Sequence, residues 1–167
     1  CAFCANAQKE DRNWVFGYRA GVDFNDFNNL KVFKGNNKNS SEVAATISDN
    51  NGELLLYLGR DTGTTYSSLI FDSRHNIIPN SKISLNVSFS KAAFFLPHHS
   101  DSNLYYLIYS GFLNDSICSQ IQTNRWCVGL HFTLIDLDGN SGSPEIIIKD
   151  KAISSHDIFE GIDVVKH

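Results

Sequence analysis

Ala45-Thr-Ile-Ser48, Asp49-Asn-Asn-Gly52, Leu54-Leu-Leu-Tyr-Leu58 and Leu69-Ile-Phe-Asp72 form the passage that decides the fold. Short runs of β-branched, aromatic and aliphatic residues alternate here with a cluster of Asp, Asn and Gly. The apolar runs favour strands, and the cluster tolerates the positive φ that a tight reversal demands. Leu54–Leu56 is apolar without alternation, the pattern of a strand covered on both faces.

The same grammar recurs outward from this passage. Ala93-Phe-Phe-Leu96, a polar turn over His98–Asn103, Leu104-Tyr-Tyr-Leu-Ile108 and Phe132-Thr-Leu-Ile-Asp136 make a second cycle. Ala45 to Ala93 is 48 positions and Asp72 to Asp136 is 64, so the second cycle carries an insertion. Strands are expected at Val43–Ser48, Glu53–Leu58, Ser67–Asp72, Ala92–Leu96, Leu104–Ser110, Leu130–Leu137 and Glu145–Lys149. No segment holds an apolar 3.6-residue period for three turns, so helix amounts to a turn or two at most. A period near fifty with three or four short strands is the size of a propeller blade. The reading is therefore all-β: a partial β-propeller of about two four-stranded blades, with strand-like Ile158–Lys166 opening a third. A small β-sandwich is the alternative, and a propeller would require the chain to continue past His167.

Composition narrows the function classes. Hydrophobic residues make up 42% and charged ones 19% of 167 residues, which describes one globular domain. The net charge is −4 and the Lys and Arg residues are scattered singly, which argues against a nucleic-acid partner. No run of eighteen apolar residues is present to span a membrane. Residues 1–7, Cys-Ala-Phe-Cys-Ala-Asn-Ala, are small and apolar and end in the A-x-A form that signal peptidases accept. They read as the end of a signal peptide, with residues 8–167 as the exported domain and a secreted or cell-surface location. Cys118 and Cys127 then remain as an even pair around Gln120–Trp126, and an oxidising compartment would let them close a disulfide worth roughly 2–3 kcal/mol. Two buried thiols, or half of a metal site with only His131 near as a further ligand, are the other readings of that pair.

Given these cycles, the chain resembles the N-terminal propeller-like region of large secreted bacterial surface proteins sorted by type IX secretion. The residues that carry the resemblance begin with Asn13-Trp-Val-Phe-Gly17, Ala20-Gly-Val-Asp-Phe-Asn25, Ala45-Thr-Ile-Ser-Asp49 and Gly52-Glu-Leu-Leu-Leu-Tyr57. His75-Asn-Ile-Ile-Pro-Asn80, Ser102-Asn-Leu-Tyr-Tyr-Leu-Ile108 and Val164-Val-Lys-His167 complete them. The resemblance implies a module preceding adhesive repeats and supplies no catalytic residues. The chain departs from the family at Ile70-Phe-Asp72, where Trp is usual, at Lys91, and in the Cys118–Cys127 insertion.

Candidate chemistry is sparse. No phosphate-cradling glycine loop, Gly-x-Ser-x-Gly or metal-ligand spacing occurs. Asp136-Leu-Asp138-Gly-Asn140 places side-chain oxygens at Asp136, Asp138 and Asn140 in the alternation of a calcium loop, and equally suits a polar hairpin turn. His98-His99-Ser-Asp101 reads as a solvated loop, since adjacent histidines on an extended chain point to opposite sides. Asp49, Asp72 and Asp136 each follow a strand, where a carboxylate bonds to the turn backbone. Trp14 is expected in the core. Arg125 and Trp126 lie in the insertion, where an exposed aromatic beside Arg is typical of a contact surface and packing of Trp126 under its own loop is the other reading. The leading reading is a non-enzymatic binding or scaffold module whose partner is a protein or glycan at the cell surface. A propeller-class glycan-active hydrolase, with converging carboxylates, is one alternative. A calcium-stabilised adhesive domain is the other.

Overall fold

The computed structural model describes residues 11–16, 18–39, 44–60, 67–85, 92–113 and 127–154. They form three antiparallel sheets, and the all-β expectation holds. The first has three strands, β1 (Asn13–Phe16), β2 (Tyr18–Asp23) and β3 (Lys31–Asn39). The second is a meander of β4 (Thr46–Ser48), β5 (Leu54–Arg60), β6 (Ser67–Asp72) and β7 (Ile83–Ser84). The third is a meander of β8 (Ala93–Pro97), β9 (Leu104–Phe112), β10 (Val128–Asp136) and β11 (Glu145–Ala152). One helical turn, α1 (Gly139–Gly142), lies between β10 and β11.

The two four-stranded meanders coincide with the two cycles read in the sequence. The additional sheet lies before them, at β1–β3, rather than only after them. It escapes a search for apolar runs because β3, Lys-Val-Phe-Lys-Gly-Asn-Asn-Lys-Asn, is mostly polar, while β1 and β2 are short. Strand β7 has two residues and carries too little pattern to find. The segment Ile158–Lys166 lies outside the described residues.

The middle sheet is buried on both faces. On one side Leu56, Leu58 and Ile70 join Leu107, Tyr109 and Ile135 of the third sheet in the main core. On the other side Tyr57 and Phe71 pack with Val15 of β1 and with Phe33 of β3. A register irregularity falls between the pairs Ile47↔Leu56 and Ser48↔Leu54, leaving Leu55 as the extra residue. That bulge lets Leu54 face one core while both Leu55 and Leu56 face the other. The unbroken Leu54-Leu-Leu run is thereby explained. Tyr57 and Phe71 are directly opposed across β5 and β6, with rings stacked 5.1 Å apart.

The two end sheets keep apolar outer faces. On the third sheet, Phe94, Ile108 and Phe132 form one cross-strand row, and Leu96, Tyr106 and Leu134 another, all half-buried. On the first sheet Trp14 (54% exposed), Phe16 and Val32 face outward. Trp14 is therefore not a core residue. Alternation in β1 turns Val15 inward and Trp14 outward, where its ring meets Phe24 at 5.2 Å and its Nε1 donates to the Asp11 carbonyl at 2.9 Å.

These burial differences set the expected cost of substitution. Leu107→Ala, at a fully buried site between two sheets, should lose about 2–5 kcal/mol in urea unfolding. Val32→Thr, on the open face, should stay within about 0.5 kcal/mol.

Candidate functional site

Strand direction gathers the turns at one end of the molecule. In an antiparallel meander the first and third connections lie at the same end, which places turns 49–53 and 73–82 together, and likewise 98–103 and 137–144. The two sheets bring these ends side by side. A polar cleft of about 480 Å³ runs between Ser48–Asn51 and Pro97–Ser102, with Tyr105 at its floor. A second cleft of similar size separates Asp72–Pro79 from Leu137 and Gly142–Pro144. The first sheet joins the same end. Asn25 Nδ2 donates to the Gly52 carbonyl at 2.8 Å, and Asn13 Nδ2 donates to that same oxygen at 2.6 Å. Gly52 holds φ +91°, a conformation that favours glycine, so the turn presents its carbonyl where both amides reach it.

The aspartates at this end cap their own turns. Asp49 Oδ1 accepts the backbone N–H of Asn51 and of Glu53, each at 2.8 Å. Asp72 Oδ1 accepts the N–H of Arg74 at 2.9 Å and of Asn76 at 2.7 Å. Asp136 Oδ1 accepts the Asp138 N–H at 2.9 Å. The expected role of all three is thus found, and they stand in three separate turns. Asp23 and Asp101 do the same for Asn25 and Asn103, a function the sequence reading had not assigned to them. The signal was available, since both are Asp-x-Asn steps at a strand boundary.

Burial works to raise the Asp49 carboxyl, but the N–H groups of Glu53 and Asn51, with the Asn51 amide, outweigh it and hold its pKa below the usual value. Asp136, Asp138 and Asn140 begin the β10–β11 connection, where Asp136 serves its turn and residues 139–142 coil into α1. Among the described residues no group of three or more His, Cys, Asp and Glu side chains is set to hold a metal.

His98 and His99 do not diverge as an extended chain would make them. The backbone bends at 99–100, so the rings lie 4.6 Å apart and His98 also meets Tyr106 at 5.3 Å. His98 Nδ1 lies 3.4 Å from the Ser100 N–H, and His99 is exposed at the cleft. His75 is a turn residue with φ +65°, and its Nδ1 pairs with the Tyr57 hydroxyl at 3.0 Å.

A polar cluster links buried groups of β9 and β10 to the exposed Asp150 of β11. The Tyr109 hydroxyl donates to the Asp150 carboxylate and lies 3.4 Å from Thr133 Oγ1, which in turn accepts the Asp150 N–H at 3.3 Å. Burial, followed by the bond to Asp150, pushes the Tyr109 phenol far above its usual range. His131 stacks on Tyr109 at 5.8 Å, and its Nδ1 lies 3.3 Å from the Asp150 carbonyl. Tyr109, Thr133 and His131 are buried while Asp150 is exposed, so the cluster ties β9, β10 and β11 together from the core to the surface.

The neck of the 111–129 insertion, residues 111–113 and 127–129, lies at the opposite end. It is regular, with Phe112 opposite Val128 and the Leu113 N–H donating to the Cys127 carbonyl at 3.0 Å. Cys127 is buried at the neck. Cys118, Arg125 and Trp126 lie outside the described residues, as do residues 1–7. No helix among the described residues is long and apolar enough to cross a membrane. No protein-family model, curated protein or solved structure matches this chain.

Two measurements follow from these groups. A carboxyl with a depressed folded pKa stabilises fully above its unfolded value of about 3.9, and that stability is lost as pH falls through the folded value. Thermal unfolding of Asp49→Asn should therefore lose less stability than wild type between about pH 4 and pH 2. Tyr109→Phe removes the hydroxyl shared by Asp150 and Thr133 and should cost about 1–3 kcal/mol in urea unfolding.

Proposed function

We propose that this chain is a non-enzymatic binding or scaffold module of a secreted or cell-surface bacterial protein, built as a propeller-like arc of sheets. One observation carries the reading: the carboxylates at the turn end are engaged in capping separate turns. A glycoside hydrolase needs two carboxyl groups flanking one bond within about 10 Å. Asp49, Asp72 and Asp136 instead serve three different loops, each bonded to its own backbone. Rigid sheets presenting variable polar connections are a common platform for recognition.

Recognition is assigned to the 111–129 insertion. Its neck is anchored by the β9–β10 ladder, and its sequence offers Arg125-Trp126, a pairing enriched in contact surfaces. The ligand class is a protein or glycan at the cell surface. Export through a signal peptide ending at Ala7 and a Cys118–Cys127 disulfide belong to the same proposal.

Binding of the chain to a glycan array and to whole bacterial cells tests it. Arg125→Ala with Trp126→Ala should weaken binding at least about tenfold with an unchanged melting temperature, a loss of about 1.4 kcal/mol. His99→Ala with Asp101→Ala, at the opposite end, should leave binding intact. Loss in the second pair alone would move the site to the polar cleft. Release of reducing ends from any bound glycan, abolished by Asp49→Asn or Asp136→Asn, would establish a hydrolase instead.

A further inference from the structure

Each sheet has a strand that ends on an aspartate, and these aspartates set a common register. Asp23 of β2, Asp72 of β6 and Asp136 of β10 each accept the backbone N–H two residues on, at 2.8, 2.9 and 2.9 Å. They pair with Asn13 of β1, Leu56 of β5 and Leu104 of β9. One position further along the ladders, Trp14 stands opposite Val22, Tyr57 opposite Phe71 and Tyr105 opposite Ile135. At the next position Val15 stands opposite Gly21, Leu58 opposite Ile70 and Tyr106 opposite Leu134. Side chains alternate along a strand, so the two sets lie on opposite faces, a front with the aromatic residue and a back.

Both interfaces within the chain set a back on a front. The back of the first sheet, at Val15, meets the front of the middle sheet, at Tyr57 and Phe71. The back of the middle sheet, at Leu58 and Ile70, meets the front of the third, at Tyr105 and Ile135. One face of each kind is left over. The front of the first sheet points outward, with Trp14 54% and Val32 79% exposed in the 167-residue chain, whereas Tyr57 and Tyr105 at the place of Trp14 are 1% and 8% exposed. The back of the third sheet presents Tyr106 and Leu134 with the neighbouring row of Phe94, Ile108 and Phe132. Trp14 Nε1 already donates to the Asp11 carbonyl at 2.9 Å, so covering its ring leaves no indole donor unpaired.

We infer that a second copy of this chain covers the Trp14 face with the back of its own third sheet, head to tail, and so continues the stack of sheets. The second copy carries the kind of face that a front meets in both internal interfaces, and it is apolar where that front is apolar. Two Trp14 faces meeting each other would set front on front, a combination that neither internal interface uses. The contact is heterologous, so it repeats until it closes a ring or grows an open stack. This inference goes beyond the proposed recognition by the 111–129 insertion and uses none of its residues.

Sedimentation of the full 167-residue chain should show a mass that rises above that of one chain at concentrations up to about 100 µM. Trp14→Asp on the front and Ile108→Asp on the back should each weaken this self-association at least about tenfold, with unchanged circular dichroism. Phe16→Asp and Phe94→Asp take their places if either of those variants loses its fold. Trp14→Asp keeps an intact back and Ile108→Asp an intact front, so their equimolar mixture should form a one-to-one heterodimer and nothing larger. A wild-type chain that stays monomeric, as it would if another segment of the same chain covered Trp14, overturns the inference. Self-association of either variant alone at wild-type strength means that like faces pair, and overturns it too, as does a mixture that stays monomeric. The double variant Arg125→Ala with Trp126→Ala should associate as wild type does, so failure here is distinct from failure of the loop assignment.

Discussion

The middle sheet is apolar on both faces, and every other part of the structure answers to that constraint. A sheet with one wet face can stand against a single partner, but β5 and β6 offer Leu56, Leu58 and Ile70 on one side and Tyr57 and Phe71 on the other. Each face must be covered, so one sheet stacks on each side. Burial at roughly 25 cal/mol per Å² makes those two interfaces the dominant favourable term. The bulge at Leu55 shows how closely the chain is fitted to this demand, since it re-aims one residue so that both cores are filled.

Stacking three meanders also fixes where polarity collects. The strands carry most of the apolar residues, the turn aspartates Asp49, Asp72, Asp101 and Asp136 stand at the reversals, and the meanders return these turns to one end. There the carboxylates satisfy turn N–H groups that lie outside the sheet ladders. The shared acceptor at Gly52, reached by Asn13 and Asn25, uses the same chemistry to tie the first sheet to the middle one. Among the described residues the same stacking leaves β1 paired by β2 alone, and apolar outer faces on the first and third sheets.

Strands with strong apolar content were legible from residue type. Ser67–Asp72 matches β6 to the residue, and β5, β8, β9, β10 and β11 lie within a few positions of where the runs placed them. The turn role of Asp49, Asp72 and Asp136 was legible for a local reason: an Asx turn involves only residues two to four apart. The first sheet was not legible. Its outer strand is mostly polar because that edge faces water, and Trp14 looked like a core residue because size and apolarity do not reveal which face of a strand it occupies.

The sequence by itself determined the class of structure, the positions of most strands and the chemistry of the turns, because period-two patterning and Asx capping are short-range effects. Tertiary structure alone decided how the sheets stack, the outward face of Trp14 and the meeting of the His98 and His99 rings. Each of those depends on which elements become neighbours across dozens of residues, and burial, unlike a turn, is a property of the neighbours.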